Sequence, residues 1–351
     1  MRVCSFKSAP GLYVLPNALS TAHQAQLATH AYTTLSHPKY DCSLQNTVRL
    51  PATGTLLQHL LRSLRPATAA GGGECHGSCA APDASDGHLL PDVRASPRLE
   101  PMPRDAPGIE RVMRRLRWIA LGYRYDWSSL SYDWTEQPQP LPPCIASVAH
   151  DTVELLRQMP VGLQCGVYKP QAAVVNFYQI LDSLTSHVDR SEPAAAAPLV
   201  SAPCVCPPSR RCFCNSMLWG QVSLSLGCPA VFVFGGESRD DDALALLLRS
   251  GDVLVMVRWF LSCRRPAHCS QPSREQADSA RRCFHGVPRV LELPHALSPP
   301  STLPLRPTLP TCSQPCSDAD SDAITELSEW HLIQQLLQSS RININIRQVH
   351  P

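Results

Sequence analysis

The sequence predicts an α+β protein whose centre is a β-sandwich or barrel with helices packed around it. Three observations carry this reading. Between Val222 and Val257, short apolar runs are separated by turn signals at Gly227-Cys-Pro229, Gly235-Gly236 and Ser250-Gly251, the mark of a strand meander. Near the end of the chain, Arg341-Ile-Asn-Ile-Asn-Ile-Arg347 alternates strictly. On a strand this sends Ile342, Ile344 and Ile346 to one face and Arg341, Asn343, Asn345 and Arg347 to the other. Ile145–Met159 has helical periodicity, with Val148, Val153, Leu155, Leu156 and Met159 as core positions.

The remaining elements follow in order. Gly11-Leu-Tyr-Val-Leu-Pro16 reads as a short strand, and Asn17 or Ser20 can cap a helix running from Ala22 to Ala31. Thr55–Arg62 is a second apolar-periodic helix, so residues 1–65 form an N-terminal helical and strand extension. Residues 66–108 are rich in Pro, Gly, Ala and Ser and contain Gly71-Gly72-Gly73, which predicts a flexible linker. The main domain is expected over 109–351. It begins with a basic, strand-like run from Arg111 to Gly122, followed by Tyr123-Arg-Tyr-Asp-Trp127. Ala172–Tyr178 is a strand, Val287–Leu293 another, and Asp322–Ser339 a helix.

The 34 prolines of the 351-residue chain are about twice the usual share and they cluster, which predicts long segments outside the core. Stretches near 193–221, 258–284 and 296–320 lack periodicity and are expected to be disordered inserts. Most of the 16 cysteines lie in such Pro-, Ser- or Gly-rich stretches. Cys204-x-Cys206 and Cys212-x-Cys214 are spaced more tightly than the usual C-x₂₋₄-C zinc pair and are read as part of an insert. Met1–Lys7 has no apolar run of a secretory signal, and no window approaches a membrane span. The chain is therefore expected to be intracellular (nucleus, cytoplasm or mitochondrion), with free thiols and no membrane partner. A formal charge of +2 gives no protein-wide basic field, so any nucleic-acid contact must come from a local patch.

The chemistry centres on His187-Val-Asp189. On an extended backbone residues i and i+2 share a face, so an imidazole nitrogen and a carboxylate oxygen can aim at one point. They supply two of three ligands for a facial iron(II) site if a second histidine arrives from elsewhere. His268, His285 and His295 are the candidates. The Arg/Asn face of 341–347 is either the outside of a solvent-facing edge strand or an anion clamp inside a barrel.

Taken together and in order, these pieces resemble the iron(II)- and 2-oxoglutarate-dependent AlkB dioxygenases, in particular the first AlkB homologue branch. The resemblance rests on Leu116–Trp127, Asn176-Phe-Tyr178, His187-Val-Asp-Arg-Ser-Glu192, Ser223-Leu-Ser-Leu-Gly-Cys228, Ser250–Met256, His285-Gly-Val-Pro-Arg-Val290 and Arg341–Val349. Gly11–Leu19 fits the N-terminal region of that branch. It covers most of the segments expected to be ordered and is interrupted at 198–221 and 258–284. It implies a double-stranded β-helix (jelly-roll) core with flanking helices and an N-terminal nucleotide-recognition region. It also implies Fe(2+), with 2-oxoglutarate and O2 as cosubstrates, bound by a monomer.

Carried over by residue, His187, Asp189 and His285 are the iron ligands. His285 is preferred to its rivals because Gly-Val-Pro-Arg-Val follows it. Arg341 and Tyr178 hold the far carboxylate of 2-oxoglutarate, Arg347 holds the carboxylate near the iron, and Asn176 and Asn343 assist. Tyr123, Tyr125 and Trp127 resemble a base-stacking lid, the preceding Arg114, Arg115 and Arg117 would meet phosphates, and Ser191 and Glu192 could touch the base. The implied partner is nucleic acid, either tRNA or single-stranded, unpaired DNA. The implied reaction is oxidative demethylation of an N-methylated base such as methyladenine. Two other readings remain from the residues alone: a jelly-roll dioxygenase acting on protein or a small molecule, and an inactive pseudoenzyme broken by its inserts.

Overall fold

The structure is a computed structural model that describes residues 2–64, 99–126, 129, 131–135, 137–159, 168–189, 214–263, 283–292 and 319–349. The chain opens with β1 (Cys4–Phe6) and β2 (Ala9–Leu15), followed by α1 (Thr21–His30). The Ser20 side chain caps α1 by accepting from the His23 amide. One π-helical stretch, Ala31–Leu35, leads to β3 (Asp41–Cys42), β4 (Val48–Arg49) and α2 (Leu56–Leu64). Then come β5 (Glu100–Pro101), α3 (Ala106–Arg115), β6 (Trp118–Gly122), β7 (Tyr125–Asp126), β8 (Ser131–Tyr132) and α4 (Pro143–Gln158). The second half runs β9 (Ala172–Gln179), β10 (Leu184–His187), β11 (Cys214–Gly227), β12 (Ala230–Phe234), β13 (Leu244–Leu248), β14 (Val253–Cys263), β15 (His285–Val290), α5 (Ala319–Ser339) and β16 (Ser340–Arg347).

Two sheets organise the chain. The large one has eight strands in the order β1-β2-β14-β11-β16-β9-β6-β3, and the small one has four in the order β10-β15-β12-β13. One face of the large sheet packs on the helices. Val222, Leu224, Leu226, Val253, Val255, Val257, Ile342, Ile344 and Ile346 all lie in the same buried cluster as Leu27, Leu57, Val153 and Leu156. Burying each such aliphatic side chain is worth about 1.5–3 kcal/mol, which is what fixes the strand faces. The opposite face meets the small sheet, where Leu12, Val14, Leu254 and Met256 pack against Phe232, Phe234 and Leu248.

β16 is not an edge strand. It lies between β11 and β9, with Arg347 opposite Gln221 and Ala172, and Arg341 opposite Gly227 and Tyr178. Its polar face is buried at Arg341 and half-buried at Asn343, Asn345 and Arg347, unlike the outside of a solvent-facing edge strand.

Several boundaries differ from the sequence reading. Residues 2–64 are no separate extension: β2 pairs with β14 (Leu15 opposite Val253), and α1 and α2 supply the main core. Such long-range pairing leaves no local mark in the sequence. The expected linker ends early, because β5 pairs with β4 and Asp105 caps α3 by accepting from the Gly108 amide. Residues 66–98 lie outside the described part. The run from Arg111 is helical up to Arg115, not strand; Asp105 and Pro107 at its start are ordinary helix-initiation signals. Of the expected inserts, 214–221 and 258–263 continue β11 and β14 and pair from Cys214↔Cys263 to Gln221↔Met256. Residues 193–213, 264–282 and 296–318 lie outside the described residues. No described helix is long and apolar enough to cross a membrane.

Candidate active site

The site lies where the small sheet's outer strand meets the polar face of β16. His187 and His285 are directly opposed partners of β10 and β15. Opposed residues of an antiparallel pair point to one side, so strand register alone brings the two imidazoles together. Their ring centroids are 4.7 Å apart. Gly286 permits this approach, because a Cβ there would come within 2.9 Å of the Leu184 carbonyl and 3.0 Å of the Ser186 backbone. β15 is held on its other side by β12, with Phe234 opposite His285 and Ala230 opposite Val290.

Asp189 completes the group just past the end of β10. Its Oδ1 is 3.7 Å from His187 Nε2 and its Oδ2 is 3.7 Å from His285 Nε2. The potential ligand atoms of His187, Asp189 and His285 all lie within 4.8 Å of one another. Each imidazole also has its Nδ1 facing a backbone carbonyl, Thr185 O at 2.9 Å for His187 and Cys283 O at 3.2 Å for His285. A carbonyl only accepts, so each Nδ1 donates, and in the neutral form of either ring the lone pair is on the Nε2 that faces Asp189. Burial pushes the His285 imidazolium below the usual histidine range, and the nearby Asp189 carboxylate only partly opposes this. Two imidazole nitrogens and one carboxylate, with donor atoms within 4.8 Å of one another, form the donor set of a 2-His-1-carboxylate iron(II) site, so the residues fit that metal.

The polar face of β16 supplies the second half. Arg347 donates through Nη2 to Asp189 Oδ1 at 3.1 Å and through Nε to Gln221 Oε1 at 3.0 Å. Six residues away, Arg341 is 1% exposed. Its Nη1 donates to the carbonyls of Cys228 and Leu248, and its Nη2 to Ser225 Oγ at 2.8 Å. Its Nε is buried without a hydrogen-bond partner, and no carboxylate among the described residues pairs with it. Burial pulls its pKa down to about 10, with the Tyr178 hydroxyl and Asp252 opposing, so it remains a cation at neutral pH. Tyr178 lies directly across from it and is pushed up to about 12 by burial, so it stays a neutral donor. Asn343 donates to Ser223 Oγ and Leu224 O and sits opposite Asn176. A buried guanidinium ringed by neutral oxygens is costly and calls for an anion, and a carboxylate matches its fork.

The predicted residues thus divide. His187, Asp189 and His285 come together, with Arg347 bonded to the group; Tyr178, Asn176, Asn343 and Arg341 line the same inner face. Tyr123 and Tyr125 belong to an aromatic cluster, packed on Trp134 at 5.1 Å and on Tyr132 at 5.1 Å. Trp134 is its exposed ring, at 42%. Trp127, Ser191 and Glu192 lie outside the described residues. The three arginines expected to meet phosphates each have a carboxylate partner: Arg114 pairs with Glu110, Arg115 with Glu100, and Arg117 with Asp182 of the turn before β10. Gln221, Ser223 and Ser225 are site residues that sequence reasoning missed. The Ser-Leu-Ser-Leu alternation placed both serines on one face; Gln221 was hidden in an expected insert.

The chain belongs to the 2OG-Fe(II) oxygenase superfamily, whose profile matches residues 93–204 and 222–347. Within it, the similarity runs to AlkB-type proteins. The chain is 31% identical over 241 residues to DNA N(6)-methyladenine demethylase ALKBH1A of Arabidopsis thaliana, covering 68% of this chain and 50% of that protein. It is 27% identical to the human nucleic acid dioxygenase ALKBH1, over 68% and 47%. It is 24% identical over 355 residues to the tRNA demethylase abh1 of Schizosaccharomyces pombe, over 100% and 82%. The chain spans about half the length of the plant and human relatives. Among solved structures, that of OsALKBH1 aligns with a TM-score of 0.46 at 19% identity, over 99% of this chain and 100% of that one.

Proposed function

We propose that this protein is an Fe(II)- and 2-oxoglutarate-dependent dioxygenase that oxidatively demethylates N-methylated bases in nucleic acid. The observation that carries the reading is the convergence of two Nε2 atoms and one buried carboxylate, with the buried Arg341 cation on the same strand face as Arg347 in want of an anion. We read the facing sheets as a double-stranded β-helix whose interior is the site. His187, Asp189 and His285 would hold the metal. Arg341 and Tyr178 would take the far carboxylate of 2-oxoglutarate, with Arg347 and the Asn176–Asn343 pair nearer the metal. When bound, iron(II) with 2-oxoglutarate and O2 supplies the oxidation of the methyl C–H bond; the hydroxymethyl product then releases formaldehyde.

The remaining work falls to this chain's own groups. The Thr185 and Cys283 carbonyls fix the imidazole tautomers, and Arg347 fixes the Asp189 carboxylate. Arg341 and His285 are the buried members of the group, while the His187 side chain is 39% exposed and marks the side open to substrate. The aromatic cluster supports nucleic acid as the substrate class. It leaves the sheet at Gly122, which lies in one cross-strand row with Ala172, Arg347 and Gln221, so it stands at the metal end of the large sheet. Gly122 has φ +79°, and a Cβ there would strike the Gln171 carbonyl at 2.0 Å. The name of the plant relative favours methyladenine in DNA, and that of the yeast relative a methylated tRNA. A recessed site needs an unpaired or flipped base.

Nucleoside mass spectrometry tests this reading. Methylated tRNA and single-stranded DNA incubated with protein, iron(II) and 2-oxoglutarate should lose methyladenine in step with succinate release. Succinate formed on a peptide or small molecule, with every nucleoside unchanged, would contradict it.

A further inference from the structure

We propose that Gln221 is a positioning residue for the metal centre, acting through Arg347 on Asp189. The inference rests on the metal-dependent reading above. Gln221 is 3% exposed and lies on β11 directly opposite Arg347 of β16. Its Oε1 accepts from Arg347 Nε at 3.0 Å, while the Nη2 of the same guanidinium donates to Asp189 Oδ1 at 3.1 Å. Gln221 fixes the guanidinium at Nε while Nη2 reaches Asp189, and two fixed points on a planar fork define its plane. The Asp189 oxygen it fixes belongs to the carboxylate that faces both histidine Nε2 atoms.

The bond adds little that the sheet does not already have. β11 and β16 are joined by a backbone ladder from Gln221↔Arg347 to Gly227↔Arg341. A buried amide at this position costs free energy unless it is hydrogen-bonded. An apolar residue would therefore serve the fold as well, whereas only an acceptor can orient Arg347. The superfamily profile match resumes at 222, one residue after Gln221.

Calorimetric titration of the full chain with Mn(II), without cosubstrate and alongside thermal melting, separates orientation from folding. Gln221→Met removes the acceptor at nearly equal length. It should bind Mn(II) about three- to tenfold more weakly than wild type with an unchanged melting midpoint, because groups behind metal ligands affect affinity at this scale. Gln221→Glu keeps an oxygen acceptor and should restore wild-type or tighter binding. Should the Met variant misfold, Gln221→Ala should show the same weakening. Equal affinity of wild type and the folded acceptor-less variant overturns the inference alone, as does failure of Gln221→Glu to restore binding. If wild type itself binds no Mn(II), the metal reading falls and takes this inference with it.

Discussion

Arg341 and Arg347 leave the same face of the same strand, and their surroundings are opposite. Arg341 is caged by backbone carbonyls and a serine hydroxyl, with no carboxylate bonded to it among the described residues. Arg347 is bonded directly to the Asp189 carboxylate. At about 3.3 Å per residue, the two Cα atoms are about 20 Å apart along the strand. The difference teaches that one alternating sequence, Arg-Ile-Asn-Ile-Asn-Ile-Arg, encodes two jobs. On the proposed reading, the Arg341 end is a cation that awaits its anion, and the Arg347 end would brace a metal ligand.

The comparison can be broken most sharply at Asp189. Asp189→Ala removes a ligand and also strips Arg347 of its partner, so metal affinity should fall more than about 100-fold in an anaerobic iron(II) titration. Arg341→Met should separate the two ends. We expect 2-oxoglutarate affinity to drop about 100-fold while metal affinity is unchanged, since charge-assisted bonds to one carboxylate are lost. The same variant, free of cosubstrate, should melt no lower than wild type, because it no longer buries an unpaired charge. Arg347→Met should weaken metal binding itself about tenfold, the scale expected for a group behind a ligand, and 2-oxoglutarate binding with it. The smallest effect should come from Trp134→Ala. Loss of one stacking ring is worth about 1 kcal/mol or more, so affinity for single-stranded oligonucleotides should fall about fivefold with metal binding untouched.

Much of this site was legible because it is written in short-period pattern. The strict alternation of 341–347 fixed which residues face inward, and its meaning became clear once β9 and β11 were seen on both sides. His187-x-Asp189 was legible for the same reason. His285 required a pairing between strands about a hundred residues apart in sequence, which only the family-like Gly-Val-Pro-Arg-Val segment hinted at. The N-terminal strands were misjudged as an extension because Leu15↔Val253 is a contact of the same long-range kind. Arg111–Arg115 has a basic and apolar pattern that suits a strand as well as a helix, and the Asp105 cap upstream decides for the helix. Arg114, Arg115 and Arg117 looked like a phosphate patch, and their carboxylate partners at 110, 100 and 182 come from three different segments.

The central claim is that one enclosed site binds a divalent metal through His187, Asp189 and His285 and then 2-oxoglutarate through Arg341. Anaerobic equilibrium binding of iron(II) and 2-oxoglutarate to the full chain tests it most directly. The account predicts one metal and one 2-oxoglutarate per chain, with both lost in His187→Ala and only the 2-oxoglutarate lost in Arg341→Met. Absence of metal binding by the wild type, or binding that His187→Ala leaves intact, would contradict it.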